Sequence, residues 1–87
     1  MKGKDKKRPA KPGLSSEEGL KRLGNRIKEL RIKAGYSSYE YFAYEHNISR
    51  AQMGRYENGQ DLRFSSLVKL TNAFGITLEE FFSEGFE

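Results

Sequence analysis

The chain has 87 residues, a formal net charge of +4, no cysteine and one histidine. Disulfides and thiolate metal sites are excluded, and a single imidazole makes no metal cluster. No apolar run approaches the roughly 18 residues of a membrane span, and the charged N-terminus lacks the apolar stretch of a secretory signal, so one small domain in the cytoplasm is expected.

Charge is unevenly placed. Residues 1–14 hold Lys2, Lys4, Lys6, Lys7, Arg8 and Lys11 against Asp5, whereas Leu70 to Glu87 holds four acids and no base. The first stretch has two prolines and almost nothing apolar, which predicts a disordered basic arm able to track phosphates or to act only as a solubilising tail. A domain over 15–87 should follow.

The first helix is predicted from Ser15-Ser16, where Ser15 and Glu18 have capping-box spacing. Leu20, Leu23, Ile27, Leu30 and Ala34 form its apolar stripe, with Arg22, Arg26, Lys28 and Lys33 on the opposite face and Gly35 as the stop. A second helix runs from Ser38 as N-cap to about His46, burying Phe42 and Ala43. Asn47 suits a turn that needs positive φ. Ser49 caps a third helix, Arg50 to about Glu57, with Met53 and Tyr56 inward and Asn58-Gly59 closing it. Ser65 should cap a fourth helix to Phe74, burying Leu67 and Leu70. Thr77 and Glu80 form a capping-box pair for a fifth, whose apolar face is Leu78, Phe81 and Phe82. No stretch alternates long enough for a strand. The fold class expected is all-α, a compact bundle of five helices.

Ser38 to Gly59 places two short amphipathic helices around His46-Asn47-Ile48 and leaves an arginine-bearing polar face on the second. Around it stand Leu23-Gly24, Ile27-Lys28-Glu29-Leu30-Arg31, Ile48-Ser49-Arg50, Arg55-Tyr56-Glu57-Asn58-Gly59, Phe74-Gly75-Ile76 and Leu78-Glu79-Glu80-Phe81-Phe82. From about Leu20 to Phe82 the chain resembles the lambda-repressor/Cro-type helix-turn-helix family, also called XRE. The resemblance implies sequence-specific binding of double-stranded DNA, usually in transcriptional control and often as a dimer. Carried over by position, it implies base contacts from Arg50, Ala51 and Arg55. It also implies a structural brace between Arg31 and Glu57.

Physics selects the same arginines, because the start and outer face of a recognition helix reach base edges and arginine bridges guanine O6 and N7. Ala51 offers a methyl to thymine, or merely favours helix. Phosphate contacts are assigned to Ser38, Tyr39, Gln52, Asn58 and Arg63. Each has a plainer alternative: Ser38 as N-cap, Asn58 as C-cap, Gln52 and Arg63 as solvated side chains. Tyr39 stands where the family usually has glutamine, so its hydroxyl can reach a phosphate but cannot repeat the bidentate contacts. Asn47 replaces the usual turn glycine, and the link before the second helix reads as one residue longer.

Phe81, Phe82 and Phe86 serve either a homodimer contact or packing onto the first helix, with the second favoured. The rings of Tyr36, Tyr39, Tyr41, Phe42 and Tyr44 are expected to pack in the core or an interface. The leading function is a DNA-binding transcriptional regulator that inserts helix 50–57 in the major groove. The alternative is a protein-interaction module on the same bundle. No paired carboxylates, nucleophile triad or Gly-rich phosphate loop suggests an enzyme, a cofactor or a small-molecule substrate.

Overall fold

Five helices and, among the described residues, no strand make up the fold: α1 (Ser16–Lys33), α2 (Tyr39–Glu45), α3 (Arg50–Glu57), α4 (Phe64–Phe74) and α5 (Leu78–Phe81). The computed structural model describes residues 13–87, so the basic arm read at 1–14 lies, but for Gly13 and Leu14, outside the described residues. No described helix is long and apolar enough to cross a membrane.

The helix ends follow from side-chain chemistry. Ser15, Ser38, Ser49 and Thr77 each accept the N–H three residues on, which satisfies a donor the helix cannot. The Thr77–Glu80 box closes in both directions. At Ser15 the hydroxyl accepts from Glu18 N–H, but no reciprocal bond from the Glu18 carboxylate forms among the described residues. The first four helices stop alike. Gly35, Asn47, Gly59 and Gly75 have φ of 100, 61, 88 and 74°. The N–H of the next residue then reaches back five positions: Tyr36 to Arg31, Ile48 to Ala43, Gln60 to Arg55 and Ile76 to Thr71, at 2.8–3.1 Å.

The predicted Ser65 cap is wrong. α4 opens at Phe64 after an extended Arg63, with no side-chain cap. The carbonyl of Arg63 already accepts from Ser66 and Leu67, so Ser65 lies inside the first turn.

Each helix gives one or two side chains to a single core: Ile27 and Leu30, Phe42 and Ala43, Met53 and Tyr56, Leu67 and Leu70, and Phe81. Phe42 is its hub. Its ring stacks on Phe74 with centroids 5.2 Å apart and meets the edge of Tyr36 at 5.1 Å. Ile48 and Phe74 are half-buried at the edge of the core.

Tyr36 also donates its hydroxyl to Glu45 Oε1 at 2.8 Å, tying the α1–α2 link to the end of α2. The hydrogen bond from Tyr36, with a smaller contribution from the Tyr41 hydroxyl, holds the Glu45 carboxyl below its ordinary value, and the bond to Glu45 raises the Tyr36 phenol. A depressed carboxylate stabilises the fold above the ordinary carboxylate range, and that contribution fades as pH falls through the lowered value. A raised phenol stabilises below the ordinary phenol range and fades as pH climbs through the raised value. Removing the hydroxyl in Tyr36→Phe should move the Glu45 titration upward in carboxyl-detected NMR. An unchanged midpoint would show that this hydrogen bond is not formed in solution.

Gly24 marks a close crossing of α1 and α3. A Cβ there would lie 2.8 Å from the carbonyl oxygens of both Tyr56 and Glu57. Glycine to alanine inside a helix normally stabilises by about 1 kcal/mol. Here the clash is with backbone, and Gly24→Ala should destabilise by about 1–3 kcal/mol, the usual cost of overpacking. Thermal unfolding decides it, since a raised melting temperature would contradict this contact.

Arg26, expected with Arg22, Lys28 and Lys33 on the face of α1 opposite the apolar stripe, does not face solvent. Arg26 is buried, donating Nε to Phe81 O at 2.7 Å and Nη2 to Glu80 O at 2.9 Å, with Glu29 3.1 Å and Glu84 3.6 Å from Nη1. Its guanidinium lies 5.9 Å from the Phe81 ring centroid. Arg22 reaches the main-chain oxygen of Glu87 at 2.7 Å. Two arginines of α1 therefore hold the C-terminal segment by its carbonyls. The aromatic end folds back accordingly: Phe81 is fully buried and Phe86 half-buried, while Phe82, read as part of the apolar face, caps α5 and stays 45% exposed.

Candidate nucleic-acid interface

α3 is fixed from its inner side. Met53 and Tyr56 anchor it in the core, and Gly24 lets α1 lie against its last turn. Arg31 and Glu57 complete the attachment with a two-pronged ion pair, Nε to Oε2 at 2.8 Å and Nη2 to Oε1 at 2.9 Å. Both side chains are more than nine-tenths buried. The third Arg31 nitrogen donates to Tyr36 O at 2.7 Å, so the guanidinium joins α1, the α1–α2 link and α3. The hydrogen bond to Glu57, offset in part by burial, raises the Arg31 pKa further, which leaves it charged at any working pH.

What remains of α3 is an outward face. Ala51, Arg55 and Asn58 recur every three or four residues along it and are exposed, as are Arg50 and Gln52. Arg55 stands on a ridge between two shallow grooves. One is shared with Gln52, Asp61, Arg63 and Ser66. The other is shared with Lys28, Tyr39, Ala51 and Asn58. The two grooves thus bring together the proposed base and phosphate contacts other than Ser38 and Arg50; Arg50 opens α3 but lines neither groove.

The arginines of the described residues divide by role. Arg22, Arg26 and Arg31, all on α1, are spent on internal acceptors. Arg50, Arg55 and Arg63 are exposed and make no side-chain hydrogen bond or ion pair among the described residues. An unpaired guanidinium keeps all its donors for a planar or anionic ligand.

The remaining candidates are differently placed. The Ser38 hydroxyl accepts from Tyr41 N–H and donates to Glu40 Oε1 at 3.0 Å, so its side chain is already occupied as a cap. Asn58 follows α3 as its C-cap. Tyr39 is half-buried against Gly54 of α3. Of the other rings, Tyr41 and Tyr44 are 54% and 81% exposed, so among the α2 tyrosines only Tyr39 packs within the domain.

Two lysines escaped assignment. Lys28 lies in the groove beside Ala51 and Asn58, and its position three residues before Arg31 was the signal that it shares that side of α1. Lys69 donates to Asn47 O at 3.1 Å and so steadies the turn between α2 and α3. Its acceptor is a main-chain carbonyl, which carries no sequence signature.

The family model described as helix-turn-helix matches residues 27–81, from the middle of α1 to the end of α5. No curated protein and no solved structure matches the chain.

Proposed function

We infer the function from what the chain is: it belongs to the lambda-repressor-like, XRE-type helix-turn-helix family, a family of DNA-binding domains. On that premise α3 is the recognition helix and enters the major groove. Arg50 and Arg55 read base edges, with Ala51 between them small enough to admit a thymine methyl. Gln52, Asn58, Arg63 and the Tyr39 hydroxyl hold the backbone phosphates, together with the main-chain end of α2 at Ser38. The biological output is regulation of transcription, wherever the cell keeps its DNA.

The single observation that carries this reading is the division of the arginines. Of the described arginines, three are consumed in building the domain, and the three without internal partners among the described residues flank one helix face. A homodimer through the C-terminal aromatic end belongs to the same reading, resting on Phe82, because Phe81 is sealed in the core.

Duplex binding across a salt series tests the electrostatic half. The log of affinity should fall with the log of salt at about −0.9 per phosphate neutralised. A flat response, or no binding to any duplex at low salt, favours the protein-interaction alternative, for which exposed Tyr41 and Tyr44 offer the surface.

A further inference from the structure

We propose that Tyr39 and Gly54 interlock to set the position of α3 against α2, which makes Tyr39 a positioning residue for sequence reading. Gly54 sits in the middle of a helix, where glycine is a costly choice relative to alanine. Its φ is not positive, so backbone freedom does not explain it. Nor does a backbone approach: a Cβ at Gly54 would meet the Tyr39 side chain, 3.1 Å from Oη and 3.2 Å from Cε1 and Cζ. The far edge of the tyrosine ring crowds the place of a Cβ by a few tenths of an ångström, so any other residue at 54 pushes on the ring.

The consequence lies one step out. Tyr39 is the first residue of α2, and its ring lines the groove with Lys28, Ala51 and Arg55. Gly54 lies three residues after Ala51 and next to Arg55, so a wedge at Gly54 governs how both present themselves. The ring sets register, and the hydroxyl supplies at most a phosphate contact. A longer or thinner wedge would shift the base-reading side chains without touching a base.

This inference rests on the DNA reading, and the experiment separates the two. Full-length wild type, Gly54→Ala, Tyr39→Ala, the double variant and Tyr39→Phe are each taken through selection from a random duplex pool, affinity measurement and thermal melting. Gly54→Ala should melt within a few degrees of wild type, because the ring it crowds is half-exposed and can shift. Its selected bases should change, and it should bind the wild-type duplex about tenfold more weakly, an ordinary coupling for residues in contact. In the Tyr39→Ala background the same substitution should cost less than about twofold, since the wedge is gone. Tyr39→Phe loses Oη but keeps Cε1 and Cζ against Gly54, so it should keep the wild-type base preference while binding all duplexes more weakly through the lost phosphate contact. Equal losses in both backgrounds, or an unchanged preference in Gly54→Ala, overturn the interlock while the DNA reading stands. A wild type that enriches no duplex sinks both.

Discussion

Glu57→Ala should lower the melting temperature by about 12 °C or more. Removing one partner of a buried ion pair costs about 3–5 kcal/mol, and 1 kcal/mol moves a domain of this size by about 4–8 °C. The cost comes from what is left behind: a guanidinium only 3% exposed, with two of its nitrogens stripped of their acceptor. Arg31→Met combined with Glu57→Leu should recover most of the loss, because an apolar pair of similar volume carries no desolvation debt. A single-variant loss under about 1 kcal/mol would place the bridge among ordinary surface pairs. The effect reaches function as well as stability. Glu57 is the last residue of α3, so the bridge fixes the direction in which the helix projects from α1.

Arg55→Ala and Arg50→Ala should leave stability nearly unchanged and damage recognition. Neither guanidinium has an internal partner among the described residues, so no packing or ion pair is lost. Each should relax preference at its own base position, by about 1–3 kcal/mol if the contact is bidentate to guanine. Arg63→Ala should behave otherwise, weakening all sequences alike and flattening the salt slope by about one phosphate. A large drop in melting temperature for Arg55→Ala would mean that this arginine builds the fold as Arg26 does.

The contrast between Arg26 and Arg55 shows where sequence reading succeeds and where it stops. Helix existence was legible, because Ser15, Ser38, Ser49 and Thr77 announce starts and Gly35, Asn47, Gly59 and Gly75 announce stops by chemistry local to each. The Arg31–Glu57 pair was legible through the family resemblance, since both partners are side chains at fixed positions. Arg26 was not. Its main acceptors are carbonyls of Phe81 and Glu80, more than fifty residues on, and every residue has a carbonyl. Helix periodicity set Arg26 off the apolar stripe and could not show that α5 returns to cover it. The start of α4 failed for a related reason: with no side-chain cap, the first carbonyl acceptor is set by backbone geometry alone. Tyr39 was assigned from its hydroxyl. Its packing partner is a glycine, which has no side chain to announce the contact.

The outward face of α3 is proposed to read DNA sequence through Arg50 and Arg55. Selection of bound duplexes from a random pool, run in parallel on the wild type, Arg50→Ala and Arg55→Ala, tests it most directly. The wild type should enrich one site, and each variant should lose preference at a different base position with folding intact. Enrichment of the same full site by all three, or of no site by the wild type, would contradict it.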